Sequence, residues 1–130
     1  MKTLKDKVVL STQNSFHLVE IRDIIYCQSE NVYTTFFLKS GDIIRVSVPI
    51  KTVEQQLKDK NFARPHQSFL VNLDHIKSIN KLAEGELILS NNIHIPYSSR
   101  KKGQLIQLLD KFTRIQSHPQ HIQICKNTSL

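Results

Sequence analysis

The chain is 130 residues long and 39% hydrophobic, and 18 Lys+Arg against 11 Asp+Glu give it a formal net charge of +7. That length fits one domain with one core, too short for a second catalytic lobe, and a chain of this size needs no metal or disulfide to fold. Three glycines, with neither GxGxxG nor GxxxxGKS/T, exclude most nucleotide-dependent enzymes, while the basic excess favours an anionic partner over an acidic substrate pocket.

In chain order, MKTLKDKVVL is too short and too charged for a signal peptide, and residues 1–7 read as an extension. Ile24–Gln28 is predicted as a strand, with Cys27 a small core residue. Ser29-Glu30-Asn31-Val32-Tyr33 then interrupts the apolar pattern, either as an ordinary turn with Asn31 left-handed or as a functional loop. Tyr33–Leu38 and the alternation of Ile44, Val46 and Val48 predict two strands joined by a turn at Ser40-Gly41-Asp42. Ile50, Val53 and Leu57 have helical spacing, with Thr52 and Gln55 as a capping-box-like start after Pro49.

The polar run Arg64-Pro65-His66-Gln67-Ser68 comes next. Alternation from Ser68 to Leu73 then predicts a strand, and Ile76–Ile79 another. Glu86–Ser90 and Ile93–Pro96 flank Asn91-Asn92, a pair suited to a tight hairpin. Leu105, Leu108, Leu109 and Phe112 form a helical stripe, N-capped by Ser98 or Ser99, in which Gly103 costs about 1 kcal/mol relative to Ala. Periodicity ends there, and residues 113–130 read as a flexible tail holding Cys125 as an unpaired thiol. Two cysteines without CxxC spacing and no apolar run approaching 18 residues predict a cytoplasmic protein with no membrane partner. Many short strands and only two helices predict a mainly β, antiparallel domain without a helix-turn-helix.

Charge is uneven: residues 1–50 carry net +1 and residues 51–130 net +6, so a polyanion surface is expected in the second half. Within Arg64–Ser68 a cation, an imidazole, an amide and a hydroxyl suit phosphate anchoring and base-edge contact. The same residues equally suit a polar loop capping its own backbone. Pro96-Tyr97-Ser98-Ser99-Arg100-Lys101-Lys102 runs from a strand into a helix start, as a phosphate seat or as a solvated helix face. Cations there oppose the helix dipole, a conflict that a bound phosphate would relieve.

Phe62, Arg64, His66, Ser68, Phe69, Leu70, Val71, Asn72, Leu73 and Ile76, followed by Ile95, Pro96, Ser98 and Arg100, form a pattern. Over residues 8–112 it resembles the LytTR DNA-binding domain, the output half of many bacterial two-component response regulators. The resemblance implies an elongated domain of small antiparallel β-sheets with two short helices, whose strand-end loops enter successive DNA major grooves. By motif, the base contacts fall at Asn31 or Tyr33, at Gln67 and at Arg100. Arg64, His66, Ser68, Ser98, Ser99, Lys101 and Lys102 would supply phosphate or supporting contacts. The partner implied is double-stranded DNA with repeated half-sites, bound by two copies. No cofactor, metal or catalytic residue is implied. There is no room for a receiver domain, so the chain is expected to be either the DNA-binding half of a regulator under a sensor kinase or a stand-alone type.

Three other readings compete. His118 and His121 have i, i+3 spacing, but Pro119 lies between them and no carboxylate cluster accompanies them, which weighs against a metal site or an enzyme; His17, His75 and His94 read as sheet or loop residues. RNA or single-strand binding would favour exposed aromatics, of which the chain has nine in all and no Trp. A protein-interaction β-domain would leave both basic clusters without a role.

Overall fold

A computed structural model describes residues 6–82 and 85–115. Among them the chain forms β1 (Lys7–Ser11), β2 (Phe16–Glu20), β3 (Ile24–Glu30), β4 (Tyr33–Leu38), β5 (Ile43–Val46), helix α1 (Ile50–Gln56), β6 (Phe62–His66) and β7 (Phe69–Asn72). There follow β8 (Ile76–Ile79), β9 (Glu86–Leu89), β10 (His94–Pro96) and helix α2 (Lys102–Leu108). The strands make three antiparallel sheets: the β1-β2 hairpin, a central sheet in the order β5-β4-β3-β7-β6, and a third in the order β10-β9-β8. This is the mainly β architecture expected, with two short helices.

Burial explains the order of the central sheet. In β3, Ile24, Ile25, Tyr26 and Cys27 are all buried, as are Leu70 and Val71 in β7; β3 is the central strand and β7 lies beside it, both covered on both faces. Neighbouring residues face opposite ways, so the sheet divides the interior into two clusters instead of the single core expected from chain length. Cys27 and Leu70 pack with Leu10, Phe36 and the α1 residues Ile50, Val53 and Leu57. Tyr26 and Val71 pack with Leu87, Leu89, Ile95, Tyr97 and Leu105 of the third sheet and α2. A register shift between Ile24 and Tyr26 puts Ile25 and Tyr26, though adjacent, in the same cluster. Tyr26 stacks on Phe37 with ring centroids 4.3 Å apart, and burial pushes its phenol up from the usual value.

Several local expectations are corrected. β1 and β2 are strands that no local pattern singles out; their hairpin buries Leu10 and Val19 but leaves Val9, Phe16 and Leu18 exposed on its other face. Of the polar run Arg64–Ser68, the first three residues end a strand (Phe62–His66) and only Gln67-Ser68 form a turn. The strand tolerates Pro65 because it is the sheet's edge and its register shifts between Ala63 and His66, where a missing N–H forfeits no ladder bond. Helix α1 begins at Pro49 without a side-chain cap, so Thr52 and Gln55 form no capping box. After Leu108 the chain tightens into a 3-10 turn (Leu109–Lys111) and leaves extended at Phe112, which is 51% exposed instead of completing the buried stripe. The expected turns at Gly41 (φ +96°) and Asn92 (φ 67°) are present.

Candidate nucleic-acid interface

Glu30 pairs with Tyr33 across a two-residue turn, Asn31-Val32, in which Asn31 takes the left-handed conformation (φ 58°) that Asn tolerates. Asn31, Val32 and Tyr33 are all exposed. The Arg45 guanidinium stacks 4.2 Å above the Tyr33 ring, with its Nε 3.9 Å from Glu30 Oε1; that oxygen also accepts a hydrogen bond from Thr35 Oγ1 at 2.7 Å. In the sequence Arg45 is simply the polar position between Ile44 and Val46 of an alternating strand. Its place beside Tyr33 follows from the β4-β5 register, Thr35 opposite Arg45, which no local pattern carries.

His66 pairs with Phe69 across the second tight turn, Gln67-Ser68. His66 Nδ1 accepts the Ser68 N–H at 3.1 Å, so in the neutral ring the proton sits on Nε2, which becomes a donor. Phe69 supports the imidazole at a centroid distance of 5.7 Å. Arg64 is engaged within the protein: Nη1 donates to Glu54 Oε1 and Nη2 to the Gln67 carbonyl, both at 2.8 Å, and the side chain is 19% exposed.

The third cluster follows β10. Ser98 precedes a 3-10 turn (Ser99–Lys101) that runs directly into α2. Neither Ser98 nor Ser99 caps a helix through its hydroxyl, contrary to expectation, because the 3-10 turn satisfies the chain by backbone bonds such as Lys101 N–H to Ser98 O at 2.9 Å. Arg100 and Ser99 are exposed, Ser98 and Lys101 half-buried. Lys102 donates from Nζ to the Lys81 carbonyl at 2.9 Å.

Two long-range backbone bonds bring these turns together. Ser29 N–H donates to Ser68 O at 2.8 Å, tying the Asn31 hairpin to the Gln67 hairpin. Ser98 N–H donates to Pro65 O at 3.0 Å, tying the third turn to the edge strand carrying the second. Gln67 and Arg100 share one cleft with Arg64, His66, Ser98, Lys101 and Glu54. Its charges are three cations against one carboxylate, and the side chains of Gln67 and Arg100 have no partner among the described residues. Among those residues there is also no cluster of three or more His, Cys, Asp or Glu able to hold a metal, and no helix long and apolar enough to cross a membrane. His118, His121 and Cys125 lie outside the described residues.

The model of the LytTr DNA-binding domain matches residues 14–110. The chain belongs to the LytTr DNA-binding domain family. It is 33% identical over 106 residues to the sensory transduction protein LytT of Bacillus subtilis, an alignment covering 79% of this chain and 43% of LytT. With the sensory transduction protein LytR of Staphylococcus saprophyticus it shares 30% identity over 79 residues, 60% of this chain and 31% of LytR. The chain thus spans less than half the length of these curated relatives. Its fold matches a solved LytTr DNA-binding domain from Bacillus cereus with a TM-score of 0.69 at 24% identity, covering 80% of this chain and 96% of the other. The LytTr resemblance read from the Arg64–Asn72 motif is borne out, as is the fold class it implied.

Proposed function

We propose that this LytTr domain binds double-stranded DNA sequence-specifically within a transcriptional regulator, setting its strand-end turns into successive major grooves. The observation that supports this most is the gathering of Asn31, Gln67 and Arg100, remote in sequence, at turns joined by the Ser29–Ser68 and Pro65–Ser98 backbone bonds. The Gln67 amide matches adenine N6 and N7, and the Arg100 guanidinium matches guanine O6 and N7, each pairing worth about 1–3 kcal/mol of discrimination. Asn31 offers the same amide chemistry from the first turn, with Tyr33 beside it. His66 Nε2–H, Ser68, Ser98, Ser99 and Lys101 serve phosphates, and Lys102 reaches them only by leaving the Lys81 carbonyl. One small module buries about 600–1,000 Å² on DNA, so two copies on repeated half-sites fit operator-grade affinity.

A single-stranded partner would be read by stacking on a shared aromatic platform. The exposed aromatics among the described residues instead lie apart in the chain: Phe16 on β2, Tyr33 on β4 and Phe112 after the last 3-10 turn. Selection of bound duplexes from a random pool tests the proposal. A recurring motif in paired half-sites, competed by duplex and not by single strands, is the expected result; a bound pool without consensus, or equal competition by single strands, refutes it.

A further inference from the structure

We infer that Arg64 and Glu54 form a positioning clamp that fixes the Gln67 turn, so that base reading at Gln67 depends on helix α1; the inference rests on the base-reading role proposed above. Arg64 bridges two acceptors at 2.8 Å each, the Glu54 carboxylate and the Gln67 carbonyl. Its side chain is mostly buried, and Nε, itself buried, has no hydrogen-bond partner among the described residues. A rigid fork can hold both acceptors at once, which a lysine ammonium on a flexible stem does not reproduce. Glu54 is in turn held by the core, since Ile50, Val53 and Leu57 of its helical stretch are all buried in the first cluster. The chain of support therefore runs from core to α1, to Glu54, to Arg64, to the main chain of the residue whose amide faces the base. With its charge matched by Glu54, Arg64 acts through Gln67 and not on a phosphate.

The two possible roles of Arg64 predict opposite effects of Glu54→Gln. A phosphate ligand would be released by that change, tightening binding to every duplex and steepening the salt dependence by about 0.9 in log–log slope. A lost clamp relaxes base preference instead. The experiment measures binding of wild type, Glu54→Gln, Arg64→Lys, the double variant, Gln67→Ala and Arg100→Ala to the selected duplex and to all its single-base variants, over a salt series, with melting temperatures as a folding control. Glu54→Gln and Arg64→Lys are expected to flatten preference, by about fivefold or more, at the base pairs that Gln67→Ala flattens. They should leave intact the preference that depends on Arg100, and the double variant should fall no further than either single one. Uniform tightening by Glu54→Gln with base preference intact overturns the clamp, as does flattening by Gln67→Ala alone. If Gln67→Ala changes no base preference, the reading role of Gln67 fails and the clamp's function falls with it.

Discussion

Asn72 offers a direct test of how the central strands are held. It is 1% exposed at the end of β7. Its Nδ2 donates to Ile24 O at 2.9 Å and to Ile21 O at 3.4 Å, while Oδ1 accepts the Asp74 N–H at 3.0 Å. One amide thus ties the turn after β7 to the start of β3. Asn72→Ala removes all three bonds. Each is worth about 0.5–1.5 kcal/mol net, and a buried polar group left without a partner costs about 1–3 kcal/mol. Since the 3.4 Å contact contributes least, the expected loss is about 2–4 kcal/mol, against a typical total of about 5–15 kcal/mol. At about 4 °C per kcal/mol, Tm falls by roughly 8–16 °C.

Asn72→Asp keeps the shape but turns a donor into a carboxylate facing two carbonyls, and burial raises its folded-state pKa above the unfolded value of about 3.9. The folded variant then binds more protons than the unfolded chain. Its stability relative to wild type is therefore greatest below about pH 4 and declines as pH rises through the folded-state pKa. Circular-dichroism melts of the three proteins at pH 4 and pH 7 measure both effects. A loss below about 1 kcal/mol for Asn72→Ala, or an Asn72→Asp deficit that shrinks on going from pH 4 to pH 7, refutes the reasoning.

A Cβ on Gly85 would lie 1.8 Å from Tyr97 Cζ, whose ring is buried and whose hydroxyl donates to Asn80 O at 2.5 Å. Gly85→Ala is therefore expected to cost about 1–3 kcal/mol in denaturant unfolding, and Tyr97→Phe, which loses only the hydrogen bond, about 1 kcal/mol. Cys27 is fully buried, and burial pushes its thiol up, so in a Cys125→Ser background a thiol reagent at pH 8 should label it only after denaturation. Arg100→Ala should lower binding to the selected duplex by about 5- to 150-fold with a far smaller loss on random DNA. Lys101→Ala should weaken both alike and flatten the salt slope by about 0.9. Equal losses on both duplexes for Arg100→Ala in a gel-shift assay would remove its reading role.

Much of the fold was legible locally. Buried-strand runs such as Ile24–Cys27, the alternation along β5 and β7, and the turns at Gly41, Asn31 and Asn91-Asn92 carry their geometry in the types of neighbouring residues. β1 and β2 were hidden because their outward face also carries Val9, Phe16 and Leu18, which blurs the alternation of apolar and polar positions that marks a half-buried strand. β6 was hidden because Pro65 and its polar neighbours read as a loop; only pairing with β7 makes them an edge strand.

The same division runs through the site. The amino-acid order alone supplied the chemistry: amides at Asn31 and Gln67, a guanidinium at Arg100, basic clusters in the second half of the chain, and the motif that places them in the LytTr family. Which of these groups share a surface was decided by tertiary structure, through the pairing of β3 with β7 and the backbone bonds Ser29–Ser68 and Pro65–Ser98. Likewise, Arg64 reads in sequence as one more cation for phosphates, and folding turns it toward Glu54 and the Gln67 carbonyl. A side chain's type is a local property. Its partner is set by strand order and helix packing, which bring together residues that no periodicity connects.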